Sequence, residues 1–490
     1  MKIRHYLKFV FILITAILFT SCKKTVHIDN TLTELPPIFP DYKNVTIPPD
    51  LAPLHFELLD NSKYDDACAI FKAGNIEITV SEEGKQFKIS KTKWNKLQKQ
   101  SKTISVIIAV KKANKWIAYA PFHFFISKDA IDGYIAYRLI EPGYERWSEM
   151  GIYQRCLRNY DEKAIITNKA TGHNCMNCHS FCKQSPDRML FHMRKDFGGT
   201  YIINGNDIEK LNTKTNKTIS PLVYPSWHPS GNYVAFSVNT TKQMFHTTNR
   251  NRVEVFDCAS DVVVYDVNKH EIVTSPLLSS KTSFETFPTF SADGNTLYFC
   301  TADSMNIPAD YDKVKYSICS ISFNQKTRQF GNRIDTIFNA KTKNKSASFP
   351  RVSPDGRFLM FTLSNYGNFS IWHREANLCM IDLRTGKDIN IDALNSNEAE
   401  SYHSWSSNSR WVIFSSRRID GLYTRPFIAH INNNGKVSKP FLLPQDDINY
   451  YNLLQKSYNI PEFVKGSVKI NSYLIMKEAR YGNLISVKAL

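Results

Sequence analysis

Beyond its first twenty residues the 490-residue chain has no apolar run long enough to cross a bilayer, for which about 20 consecutive residues are needed. It has no Gly-x-Ser-x-Gly elbow, which argues against a serine hydrolase of the nucleophile-elbow kind. Acidic residues are in deficit, 45 against 62 Lys and Arg for a formal charge of +17. The basic residues are spread rather than clustered, so a nucleic-acid footprint is excluded. Attraction to anionic lipid or acidic partners is the plainer use of such a charge. Ten cysteines are too dispersed for the dense disulfide framework of a small secreted domain. Several, including Cys300 and Cys379, lie in apolar strand-like runs where a thiol acts as a small hydrophobe.

What is present starts at the N-terminus. Lys2, Arg4 and Lys8 precede an almost wholly apolar stretch over residues 9–19, followed by Thr20, Ser21 and Cys22. Residues 1–22 therefore read as a signal peptide. Its end resembles a bacterial lipobox, with Phe19 where Leu is usual. That resemblance makes Cys22 the lipid-attachment site, and dual acylation would anchor the chain stably to a membrane. Residues 23–53 carry six prolines, Pro36, Pro37, Pro40, Pro48, Pro49 and Pro53, and read as a semi-extended tether.

Period-two alternation then sets in, as in Ile76-Glu77-Ile78-Thr79-Val80 and Ile104 to Val110. Residues 54–130 are expected to form a small β-sandwich, with one helix near residues 93–100. From residue 131 the chain repeats itself. Ser353-Pro354-Asp355-Gly356 has counterparts at Pro229-Ser230-Gly231, Ser291-Ala292-Asp293-Gly294 and Ser406-Ser407-Asn408-Ser409. Pro presets φ, Asp bonds its own backbone and Gly supplies positive φ, so each is a tight turn between two apolar strands. A second strand pair follows each, which makes a four-stranded blade.

These repeats resemble the TolB-like family of β-propellers. The resemblance implies a mainly β chain, the sandwich followed by a six-bladed TolB-like β-propeller over residues 131–445. Residues 446–490 are expected as a tail packing on the body, with one amphipathic turn and a strand-like run over residues 472–476. His228, His373 and His403 fall in blade turns or strands and are expected to be structural.

One stretch within the propeller, residues 171–182, runs into a degenerate copy of the repeat at Ser180-Phe181, Ser185-Pro186-Asp187 and Leu190-Phe191-His192. It contains Cys175-Met176-Asn177-Cys178-His179, the attachment signature of a c-type haem. Composition alone would produce it about 0.005 times. Two thiols at this spacing suit the two vinyl groups of one porphyrin edge, and the adjacent imidazole suits the iron. Cys175 and Cys178 are thus candidates for thioether attachment and His179 for the proximal ligand. Met193 or His192 is the candidate second axial ligand; neighbouring strand residues face opposite ways, so only one can serve. The alternative is a zinc site from Cys175, Cys178, Cys182 and one histidine such as His173, or a disulfide.

Taken whole, the chain resembles a group of Bacteroidetes TolB-like lipoproteins in which Asn174 to Phe181 and Met189 to His192 have counterparts. Two functions follow as expectations. One is an envelope lipoprotein with one covalent haem c, passing electrons to a redox partner. The other is a non-catalytic interaction propeller with a structural Cys/His cluster. Either is an electron carrier or binding protein rather than a hydrolase. By resemblance it sits on the periplasmic side, on the outer rather than the inner membrane.

Overall fold

The computed structural model describes residues 26–142 and 149–490. Cys22 and the signal peptide lie outside the described residues. Among the described residues no helix is long and apolar enough to cross a membrane.

The N-terminal domain pairs a seven-stranded sheet with a three-stranded one. The long strands Asp66–Ala73 and Thr103–Lys112 lie antiparallel at its centre, and their alternate residues Ala69, Phe71, Ile104, Val106 and Ile108 are buried. The helix Lys91–Gln100 is capped by Ser90, whose hydroxyl accepts from the Lys93 amide. Its Trp94 is fully buried and donates from Nε1 to the Leu51 carbonyl at 2.8 Å.

Residues 26–53 depart from the expected tether. Asn30–Thr31 runs parallel to Lys115–Ala118, Val45–Ile47 runs parallel to Phe122–Ile126, and Ile38–Phe39 pairs with Phe56–Leu58. The apolar residues between the prolines decide this: Ile38, Tyr42, Val45, Ile47 and Leu51 are all buried. Proline is compatible with such short pieces at sheet edges and turns.

Six further sheets form the blades of the propeller. Blade 2 starts with Met176–Phe181, blade 3 with Leu222–Trp227, blade 4 with Ser283–Phe290, blade 5 with Ser346–Val352 and blade 6 with Glu400–Trp405. Each of these is the innermost strand of its blade. Blade 1 is built from both ends of the domain. Tyr134–Ile140, Gly151–Cys156 and Glu162–Thr167 supply its outer strands, and Ser457–Val464 pairs antiparallel with Tyr134–Ile140 as its innermost. The innermost strands touch in a closed ring, 1 to 2 and onward to 6 and back to 1.

The segment expected as a packing tail therefore closes the ring. Beyond it, Ser472–Tyr481 is a helix rather than the expected strand. Asn471 caps it by accepting from the Tyr473 amide, and Ile475 and Ala479, four residues apart, are its buried stripe. Leu484–Ser486 and Lys488–Ala489 then add parallel strands to the outer edges of blades 2 and 3.

The repeat turns behave as their sequence dictates. Ser353 Oγ accepts from the Phe358 amide at 2.9 Å and donates to Asp355 Oδ1 at 2.6 Å, while Gly356 takes φ +74°. Gly294 of blade 4 has a further constraint. A Cβ there would lie 2.1 Å from His228 Nε2, which donates to the Gly294 carbonyl at 3.1 Å and ties blade 3 to blade 4.

The two domains share one core. Tyr42, Trp94 and Phe122 belong to the same cluster of buried residues as Trp405, Trp411 and Phe414 of blade 6. Trp411 Nε1 donates to the Asp129 carbonyl, and His430 Nε2 lies 2.7 Å from the Asp129 carboxylate.

Candidate functional site: the axis of the propeller

Every innermost strand carries a register shift at its middle, and at each shift one residue takes a left-handed backbone. These are Cys178, Tyr224, Phe287, Phe349, Tyr402 and Ile460, with φ between 48° and 55°. Positive φ is costly for residues of these types. Its recurrence in all six blades marks a bulge the architecture requires. The residue that follows is His179, Pro225, Pro288, Pro350, His403 or Pro461. Cys178-His179 is thus the blade 2 copy of an apolar-then-Pro-or-His dipeptide.

The six bulged side chains plug the channel. Phe287 and Phe349 meet at a tilt with 4.1 Å between ring centres, Tyr224 meets Phe287 at 4.6 Å and Tyr402 meets Phe349 at 4.9 Å. The space left beside Cys178, His179 and these rings is about 20 Å³, room for a single water. Burial raises the Cys178 thiol pKa, so it stays protonated. Burial also lowers the pKa of His179 to about 3, against a smaller opposing pull from the Ile460 and Ala136 carbonyls. Its ring nitrogens are near those two carbonyls, but neither makes a well-aligned hydrogen bond. His403, its counterpart in blade 6, is likewise held neutral by burial, with a pKa of about 3, and donates from Nε2 to the Met360 carbonyl at 2.9 Å.

The other residues singled out in the sequence lie elsewhere. Cys175 packs with Met150, Met176 and Met193 between blades 1 and 2. Cys182 packs with Leu190 and Trp227 between blades 2 and 3. His192 also faces blade 3, with its ring 5.9 Å from Phe236 and Nδ1 2.8 Å from Thr200 Oγ1.

A covalent haem needs both thiols at one porphyrin edge with the imidazole over the iron. Here Cys178 and His179 face a one-water space on the axis, Cys175 faces blade 1, and Met193 and His192 diverge. The residues present do not fit the group in this arrangement. The zinc alternative meets the same geometry. Cys175, Cys178 and Cys182 point into three different surroundings, and among the described residues no three His, Cys, Asp or Glu side chains converge as a metal-ligand group.

On one side of the plug the channel widens into a funnel of about 270 Å³, at the end carrying the repeat turns, with walls from all six blades. Phe181, Trp227, Phe290, Trp405 and Phe463 line it at equivalent positions. The two indoles also lock neighbouring blades, Trp227 Nε1 donating to the Ser180 carbonyl and Trp405 Nε1 to the Arg351 carbonyl. Lys183, Lys465 and Arg351 give the funnel a positive lining. Its one carboxyl, Glu462, accepts from the Phe181 amide at 3.2 Å. Burial raises that carboxyl to a pKa of about 8, against the lowering effect of Arg351.

On the other side the channel is covered by an arm. Tyr233–Phe245 and Val253–Asp266 form a hairpin much longer than its blade, and its outer part crosses to blades 4 and 5. Glu254 carries this crossing, with Oε2 2.9 Å from His373 Nε2 and Oε1 accepting from the Tyr366 hydroxyl at 2.8 Å. Asp257 accepts from Asn239, Tyr316 and Asn368, and burial raises its pKa to about 6. His373, expected to be structural, has its partner Glu254 on the arm. Funnel and arm escape a sequence reading because their residues meet only once the ring closes. The one available signal is the repeated apolar-Pro or apolar-His pair at the bulges.

No known protein family matches the chain, and no curated protein matches it. Among solved structures it is similar to a puromycin-hydrolyzing peptidase of Mycobacterium tuberculosis, at 9% identity and a TM-score of 0.35 over 70% of this chain and 52% of that one. It is similar to a DUF4784 family protein of Bacteroides caccae, at 8% identity and a TM-score of 0.32 over 76% of this chain and 98% of that one. It is also similar to prolyl oligopeptidase B of Galerina marginata, at 10% identity and a TM-score of 0.34 over 80% of this chain and 54% of that one. The chain spans about half the length of the two peptidases.

Proposed function

We propose that this chain is a non-catalytic binding protein of the cell envelope, whose propeller funnel takes an acidic segment of a partner protein. The observation that supports this reading is the funnel itself: a 270 Å³ concavity walled by all six blades and lined by Lys183, Lys465 and Arg351. The overall charge of +17 would add attraction at longer range. In this reading Cys22 bears the lipid, the body stands on the periplasmic side of the outer membrane, and Cys178-His179 is a structural bulge.

The test is titration of a fluorescent hexaglutamate peptide. Lys183→Glu with Lys465→Glu is expected to weaken binding at least tenfold, and raised salt should weaken it in the native protein. Equal affinity in the variant would refute the funnel. A pyridine haemochrome spectrum of chain made with a c-type maturation system decides the competing electron-transfer reading. A covalent haem band that disappears in Cys175→Ala, Cys178→Ala would establish haem and demand a rearranged blade 2.

A further inference from the structure

Residues two apart on a strand share a face, so the residue two places after each bulge turns toward the axis beside the plug. These six are Ser180, Ser226, Thr289, Arg351, Ser404 and Glu462, and all of them line the funnel. They form a second ring at its floor. Ser226, Arg351, Ser404 and Glu462 are only half-buried, so the ring is open to the funnel. Four blades contribute a hydroxyl, and blades 5 and 1 break the pattern with one guanidinium and one carboxyl.

The two exceptions are not spent on each other. Arg351 Nη1 donates to the Pro350 carbonyl at 3.3 Å, and Glu462 accepts from the Phe181 amide at 3.2 Å. Burial keeps the Glu462 carboxyl protonated up to a pKa of about 8. In that state it donates, as Arg351 does, and hydroxyls can do the same. The Ser404 hydroxyl is turned to the Pro461 carbonyl at 2.9 Å. The floor is thus rich in donors, which suits a group that only accepts, and the guanidinium within the ring repels a metal cation.

We propose that this ring takes one carboxylate of the bound acidic segment, held by the Arg351 guanidinium and by a hydrogen bond from the protonated Glu462 carboxyl. Such a clamp rests on the funnel being the site of an acidic segment. When Glu462 ionises, the ring loses a donor and sets a negative charge against that of the ligand, so affinity falls as pH rises through the pKa. The other charged groups of the funnel are the exposed Lys183 of blade 2 and Lys465, just beyond the strand that carries Glu462. Arg138 on the neighbouring strand is engaged by the Met176 carbonyl and Asn459. His179 and His403 are neutral, and blades 3 and 4 bring no titratable side chain to the funnel.

Titration of the fluorescent hexaglutamate peptide at fixed salt, at about pH 7 and about pH 9, tests the clamp. Exposed glutamates and lysines keep their charge across that window. Affinity in the native protein is expected to fall about tenfold, as the protonated fraction of a group with a pKa of about 8 does. Glu462→Gln keeps a donor that has no proton to lose, and should bind at both pH values about as well as the native protein does at the lower one. Arg351→Gln should weaken binding at least tenfold at the lower pH. The native profile needs no variant, so it decides the matter if either substitution prevents folding. Binding that depends on Lys183 and Lys465 yet is equal at the two pH values, or a Glu462→Gln profile as steep as the native one, would overturn the clamp and leave the funnel standing. Absence of binding at both pH values would overturn the two together.

Discussion

Replacing His179 by proline separates a structural bulge from a cofactor ligand. Four of the six equivalent positions already hold proline, so the backbone there accepts it, and the ladder is interrupted at this point in blade 2. The substitution restricts the unfolded chain, worth about 0.4–1 kcal/mol in favour of the folded state. It also removes two buried ring nitrogens that lack a well-aligned hydrogen bond; the nearby Ile460 and Ala136 carbonyls relieve part of that cost, which leaves between zero and about 1 kcal/mol for each. Against this stands the smaller ring. Roughly 40 Å³ of lost volume at about 24 cal/mol per Å³ costs ~1 kcal/mol. The net effect ranges from a slight loss to about 2 kcal/mol of added stability. Urea unfolding followed by tryptophan fluorescence measures it. The matched variant His403→Pro should instead destabilise by about 1–2 kcal/mol, because it breaks the bond to the Met360 carbonyl and strands that acceptor. A loss of more than ~2 kcal/mol in His179→Pro would refute the reasoning, as would a haem band in the native protein that this variant lacks.

Other outcomes follow from the same geometry. Gly294→Ala places a Cβ against His228 at positive φ, so its midpoint in urea should fall by the equivalent of about 2–4 kcal/mol; an unchanged midpoint would mean that the turn relaxes freely. Asp257 has its pKa raised to about 6 by burial from a reference of 3.8, so the folded state holds its proton longer than the unfolded chain does. Its contribution therefore falls as pH rises from about 4 to about 6, by up to ~3 kcal/mol, and is level above that. Asp257→Asn should flatten that part of the stability-against-pH curve, and an unaltered curve would show that the group titrates normally. Ending the chain at residue 456 removes Tyr458, Phe463 and Val464 from the core, each worth about 1.5–3 kcal/mol. Heating followed by circular dichroism should then show no cooperative transition, and a sharp one would refute closure by this strand.

Much of the fold can be read in the chain because turns and alternation are local. Ser353-Pro354-Asp355-Gly356 announces its hairpin, and Gly294 and Gly231 announce theirs by the same chemistry. What escapes is non-local. The strand Ser457–Val464 pairs with Tyr134–Ile140 across nearly the whole domain, and nothing in its own residues says so. The residues at 23–53 mislead for the opposite reason: proline density outweighs five buried side chains that alternate only loosely. Cys178-His179 misleads at the site. Its spacing to Cys175 is that of a haem signature, while its meaning in the fold comes from comparison with Tyr224-Pro225 and Phe349-Pro350. The funnel charges come from residues as far apart as Lys183 and Lys465, so only the closed ring brings them together.

Closure of blade 1 by the C-terminal strand also governs how the chain emerges. The three outer strands of blade 1 are synthesised before any of the other five blades, and the backbone edge of Tyr134–Ile140 must wait for all of them. A chain halted anywhere before residue 457 presents that edge unpaired, a template for strand addition by another chain. Completion of the ring therefore removes that edge. A finished molecule hides the edge, and an unfinished one displays it to whatever chaperone or protease reads exposed strands.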